Sequence, residues 1–186
     1  MIPFAIASLA GRENVSGRLL LAGVIASILP DADVISLMFG IPYRHPMGHR
    51  GFSHSIAFAL IISLLGIFTA HKLNASRIVA FLFLFLSTLS HGMLDAFTNG
   101  TLGIAFLSPF SNERFLFPWR PIQVSPLSVE PFLGARGWHI LQSELIWVWA
   151  PTLSLAFFGI GVRKGFRWLT NRRPGRYPPP FMLEMP

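Results

Sequence analysis

IVAFLFLFLSTLSHGMLDAF, residues 78–97, is long enough to cross a bilayer only if His91 and Asp95 lie inside the crossing. A span needs about 17 to 25 predominantly apolar residues. The composition favours the membrane reading. Charged residues make up 12% of the 186, about half the roughly 25% usual in soluble domains, and the mean hydropathy is +0.55. Residues 55–70, SIAFALIISLLGIFTA, carry no charge, and residues 140–162 meet the length criterion despite Glu144 and Pro151. These runs predict an all-α, multi-pass transmembrane helical bundle of about four spans. It forms one membrane-embedded domain over residues 1–170, followed by a disordered, basic and proline-rich tail at 171–186.

Punctuation residues divide the chain further. GRENVSGR is a turn in which Asn14 or Ser16 caps a helix over 17–29, and Pro30 stops or kinks that helix. A polar loop at 40–53 precedes a helix at 54–70, and HKLNASR joins it to the helix at 78–97. Residues 98–138, rich in Pro, Phe and Trp, form an interfacial lid or platform of the kind aromatic belts make, before a helix at 139–162. MIPFAIASLAG lacks the basic start of a cleaved signal peptide and is too short to span.

Lysine and arginine set the expected orientation. Arg12, Arg18, Lys72, Arg77 and six basic residues between Arg163 and Arg176 total ten on one side; Arg44, Arg50, Arg114, Arg120 and Arg136 lie on the other. The ten belong on the cytoplasmic face, so the net charge of +7 reports topology and not a nucleic-acid partner. The N-terminal region and basic C-terminal region are then cytoplasmic, and loops 30–54 and 98–138 face the periplasm. The same alternation carries Asp31, Asp33, His49, His54, His91, Asp95, His139 and Glu144 to that outer rim, although none of them entered the assignment.

Ionisable groups at membrane depth are costly unless they pair, face water or hold an ion. His91 and Asp95 are four apart on a helix and share a face. Ser53 reads as an N-cap that places His54 in the first turn, where the helix dipole keeps a neutral nitrogen available. Asp31, Asp33 and His49 complete six candidate ligands. They suffice for one or two divalent ions, with zinc, manganese, iron and magnesium all compatible with a nitrogen and oxygen set. No cysteine exists, so thiolate zinc sites and disulfides are excluded. Interhelical hydrogen bonds and helix termination are the ordinary alternatives for these residues. Glu144, about one turn into a span, reads as a general base and His139 as a proton shuttle, while Arg44 and Arg50 read as anion receivers. The chemistry that fits is metal-assisted hydrolysis of a lipid or lipid-linked phosphoester. An ion- or proton-coupled transporter and a metal-stabilised, non-catalytic membrane protein are the competing classes.

PDADVI, HRGFSHS and HGMLDAFTNG resemble the YdjM-type membrane-bound metal-dependent hydrolases over roughly residues 1–120. The resemblance implies a bacterial inner-membrane protein with a helical, His/Asp-lined site distantly similar to zinc-dependent phospholipase C. By position Asp33, His49, His54, His91 and Asp95 match the family's polar motif, with Asp31 alongside. Members usually carry a histidine before the first apolar helix, whereas the first histidine here is His45; a start assigned too late explains both this and the short first helix.

Overall fold

A computed structural model describes residues 1–126 and 133–171. The tail, apart from Asn171, lies outside the described residues. The helices are α1 (Ile2–Ala10), α2 (Gly17–Ile28), α3 (Ile35–Met38), α4 (Ile56–Thr69), α5 (Arg77–Ala96), α6 (Ala135–Glu144) and α7 (Ala150–Asn171). There is no strand among the described residues, only isolated bridges pairing Thr98 with Ile122 and Ile104 with Phe115.

Serines start the helices. The side chains of Ser16, Ser55 and Ser76 accept hydrogen bonds from the backbone N–H of Leu19, Phe58 and Val79 respectively, each satisfying one otherwise orphaned donor. Ser53 is therefore not the cap that the sequence suggests: the helix begins two residues later than a cap at Ser53 requires, and Ser53 instead donates to Asp33. His54 sits in a 3₁₀ turn, Phe52–His54, ahead of the helix. Pro30 does end α2, and the chain continues as a 3₁₀ segment, Leu29–Val34, that presents Asp31 and Asp33.

Small residues let the helices approach closely, as packing in lipid requires. Ala59, Ser63 and Gly66 form the buried face of α4, and a Cβ on Gly66 would lie 2.5 Å from Leu84 Cδ1 of α5. On α2, a Cβ on Gly23 would lie 2.3 Å from Phe83 Cε1. The other face of α4 leaves Leu60, Ile61, Leu64, Leu65 and Phe68 exposed. Three helical stretches are long and apolar enough to cross a membrane: Gly17–Met38, Arg77–Ala96 and Ala135–Thr170; Ile56–Thr69 is a shorter apolar helix. Only 11% of the apolar window in the last span is buried, so its hydrophobic side chains point outward, as they do in lipid.

That last helix is longer than the sequence pattern indicates, starting at Ala135 and passing Pro151 without a break. Pro151 lacks the N–H that would bond back along the helix. The turn before it, Leu145–Trp149, is wound as a π-helix, and Thr152 Oγ1 donates to Val148 O at 2.5 Å. Local rewinding and a hydroxyl donor together accommodate the proline.

The bundle has two chemically distinct ends. At one, Ser16 donates to Leu73 O, Arg18 reaches Lys72 O at 3.3 Å, and Arg167 pairs with Glu13 at 3.1 Å. Asp31, His54, His91 and Asp95 gather toward the other.

Candidate metal centre

Three segments converge on one point. The 3₁₀ segment after α2 supplies Asp31, the turn before α4 supplies His54, and the last turns of α5 supply His91 and Asp95. One ligand atom from each lies within 4.8 Å of the others. His91 Nε2 is 3.1 Å from Asp31 Oδ1 and 4.0 Å from Asp95 Oδ2; His54 Nε2 is 3.4 Å from Asp95 Oδ2 and 3.7 Å from Asp31 Oδ1. Gly92 permits the convergence, because a Cβ there would stand 2.9 Å from the His54 carbonyl oxygen.

The far side of each imidazole is already engaged. His91 Nδ1 lies 2.8 Å from Ser27 O, which can only accept, so Nδ1 carries the proton. His54 Nδ1 lies 3.1 Å from Asp33 Oδ2, again an acceptor. Both Nε2 atoms are therefore the free nitrogens, and both are buried without a hydrogen-bond partner. Buried polar atoms are rarely left so. Two orphaned imidazole nitrogens aimed at two carboxylates form a nitrogen and oxygen set that fits one divalent cation, with the opposite nitrogens fixed as metal-binding histidines usually have them.

Asp33 and His49 take a place behind this quartet. Asp33 Oδ1 is 2.5 Å from His49 Nδ1; its Oδ2 accepts from Arg50 N at 3.0 Å and from Ser53 Oγ, besides facing His54. Four donors thus occupy the carboxylate that the sequence offers as a ligand. Arg50, read as an anion receiver, is 5% exposed and directs Nε to Asp95 Oδ2 at 3.0 Å and Nη1 to Thr98 Oγ1 at 3.3 Å. Arg44 is exposed on the neighbouring turn.

Electrostatics at His54 agree with a cation site. Burial works against its charged form, but Asp31, Asp33 and Asp95 outweigh burial and push its pKa up to about 10. The carboxylates that retain a proton on Nε2 are those that would hold a cation in its stead.

A cavity of about 630 Å³ adjoins the quartet, lined in part by Asp31, Arg50, His91, Asp95, Glu144 and Trp149. Glu144 enters it from the end of α6, immediately before the π-helical turn. His139 does not line this cavity. It opens on a neighbouring one with Asn99, Arg136, Ser143 and Trp147, and Gln123 borders both.

Sequence reasoning missed Ser27 O, Thr98 and Arg114. The first is a backbone group without a sequence signature. Arg114 lies among aromatics that read as an interfacial belt, yet its guanidinium binds the backbone of the His49 turn.

Together the fold and the quartet define a multi-pass helical membrane protein with a compact Asp/His centre at one end of its bundle. A profile of the YdjM inner membrane protein family matches residues 1–167, and the chain belongs to that family. It is 42% identical over 155 residues to the inner membrane protein YbcI of Escherichia coli (strain K12), covering 83% of this chain and 90% of that protein. No solved structure matches, so the implied likeness to zinc-dependent phospholipase C is not shown.

Proposed function

We propose that this protein is a metal-dependent hydrolase that cleaves a phosphoester of a lipid or lipid-linked substrate at the periplasmic face. The observation that carries the reading is the pair of buried, unpartnered Nε2 atoms of His54 and His91, facing Asp31 and Asp95 beside a cavity that contains a carboxylate outside the quartet. A divalent cation held by the four residues, zinc by preference from the histidine content, supplies Lewis-acid polarisation and water activation. Glu144 takes the proton of the attacking water as general base. Arg50, fixed against Asp95, places positive charge on the cavity wall where an anionic phosphoryl group is received. Ile28, Leu94, Val148 and Trp149 give the same cavity apolar wall for the substrate's hydrocarbon. Arg44 and His139 are held for approach of the headgroup and proton exchange at the rim.

A centre that only ties three helix ends together would need no carboxylate beyond its ligands. The two readings separate on Glu144→Gln in detergent-purified protein assayed with lipid phosphoesters and added zinc. The hydrolase reading expects full metal content with turnover reduced about 10² to 10⁴-fold. Unchanged turnover would remove Glu144 from the reaction, and no turnover by the wild type on any lipid phosphoester would favour the structural clamp.

A further inference from the structure

We propose that Arg114 is a positioning residue of the metal centre, acting as a guanidinium clasp that fixes the backbone from which His49, Arg50 and His54 reach their partners. The clasp rests on the reading of the quartet as a metal centre.

Its hydrogen bonds all go to backbone carbonyls. Arg114 Nη1 donates to the backbone oxygens of Gly103 at 3.2 Å and of His49 and Arg50 at 3.3 Å, and Nη2 donates to Tyr43 O at 2.9 Å. Its Cζ stands 5.5 Å from the centre of the Tyr43 ring. Four carbonyl dipoles and a ring face converge on one planar cation, an arrangement that the rigid five-donor fork of arginine matches and the single ammonium of lysine does not.

The segment carrying Arg114 is itself anchored. Ile104 and Phe115 exchange both backbone hydrogen bonds at 2.9 Å, and Ile104 is fully buried. Ala105 N donates to Arg50 O at 3.1 Å, and Ile56 N donates to Phe106 O at 3.0 Å, stitching the hairpin to the turn on either side of His54. Gly103 adopts a φ of +64°, and a Cβ there would stand 2.9 Å from Phe115 O, so the close approach of the two arms needs glycine.

The consequence falls on Arg50. Its φ is +61°, a left-handed conformation that is strained for a non-glycine residue and persists only where surroundings impose it. Here its carbonyl accepts from Arg114 and Ala105 while its own N–H is held by Asp33. In that conformation the Arg50 side chain reaches Asp95, a member of the quartet, and the chain runs on to His54, another. Arg114 touches none of the four residues, yet it determines whether two of them are held in register.

The test uses the full chain in detergent and two variants, Arg114→Lys and Arg114→Ala, with Arg120→Ala as control. Arg120 donates to Gly100 O at 3.0 Å on an exposed part of the same loop. Zn²⁺ binding is measured by titration, and backbone amide exchange over residues 43–54 is measured in chelator-treated protein. Both Arg114 variants are expected to weaken Zn²⁺ binding by about tenfold or more, the loss usual when a ligand's support is removed. Exchange over 43–54 should rise while the amides of α2, α4 and α5 and the control variant stay as in wild type. Wild-type Zn²⁺ affinity and wild-type exchange in the Arg114 variants would overturn the clasp, as would lower thermal stability with affinity unchanged. If Arg114→Ala does not fold, Arg114→Lys decides by the same two readouts. A wild type that takes up no Zn²⁺, with exchange over 43–54 still raised in the variants, would sustain the clasp and sink the metal reading instead.

Discussion

The imidazoles of His54 and His91 stand 5.0 Å apart, each with Nδ1 engaged from behind and each with a buried Nε2 that has no hydrogen-bond partner. They come from different segments, and neither helix propensity nor local charge pairing brings them together. In the proposed function a cation shared by the two nitrogens accounts for this arrangement.

Asp33 touches His54 and His49 and stands outside the four residues whose ligand atoms converge, so the proposed function makes it a support. Asp33→Asn should retain metal stoichiometry and weaken affinity about 10 to 100-fold, because the amide no longer fixes the His54 tautomer as a carboxylate does. Metal titration of the variant decides. Complete loss of binding at saturating metal would make Asp33 a direct ligand, and unaltered affinity would deny it the supporting role.

The raised pKa of His54 gives cation-free protein a signed pH dependence. Because the folded value, about 10, exceeds the ordinary 6.5, the protonated ring contributes stability that is fully present below pH 6.5 and is lost as pH rises toward 10. In chelator, the stability difference between wild type and His54→Gln should therefore shrink from pH 6.5 to 9.5. Metal affinity should rise over the same window, as the cation displaces the proton. A difference that grows with pH would show that His54 is neutral in the cation-free fold.

Orientation is accessible because the chain has no cysteine of its own. Single cysteines at Thr101, an exposed residue three positions after the cavity-lining Thr98, and at Lys72, at the opposite end, should label with a membrane-impermeant thiol reagent from the periplasmic and cytoplasmic sides respectively. The reverse pattern would turn the site inward and contradict the distribution of basic residues.

Much of the architecture was legible from residue order. Apolar runs identified the helices, Ser16 and Pro30 marked the start and end of α2, and the His91 and Asp95 spacing placed both on one face. Two kinds of information were not. The first is competition among polar groups for a partner: Asp31 and Asp33 look alike in PDADVI, but only contacts across 16 to 60 residues show that Asp33 is saturated while Asp31 faces both Nε2 atoms. The second is irregular backbone. The Ser53 cap failed because the 3₁₀ turn delays α4, and the start of α6 was missed because ARGW, residues 135–138, reads as the end of the polar loop before the apolar run. Glu144, read from the sequence as a general base, lines the cavity beside the quartet, whereas His139 opens on the adjoining space.

In the proposed function Asp31, His54, His91 and Asp95 hold one divalent cation. Elemental analysis of detergent-purified wild type beside the His91→Ala, Asp95→Ala double variant tests it most directly. About one equivalent is expected in the wild type and none in the variant, with helical content retained in both. A folded wild type that carries no metal after exposure to zinc, manganese, iron and magnesium, or a double variant that keeps its equivalent, would contradict it.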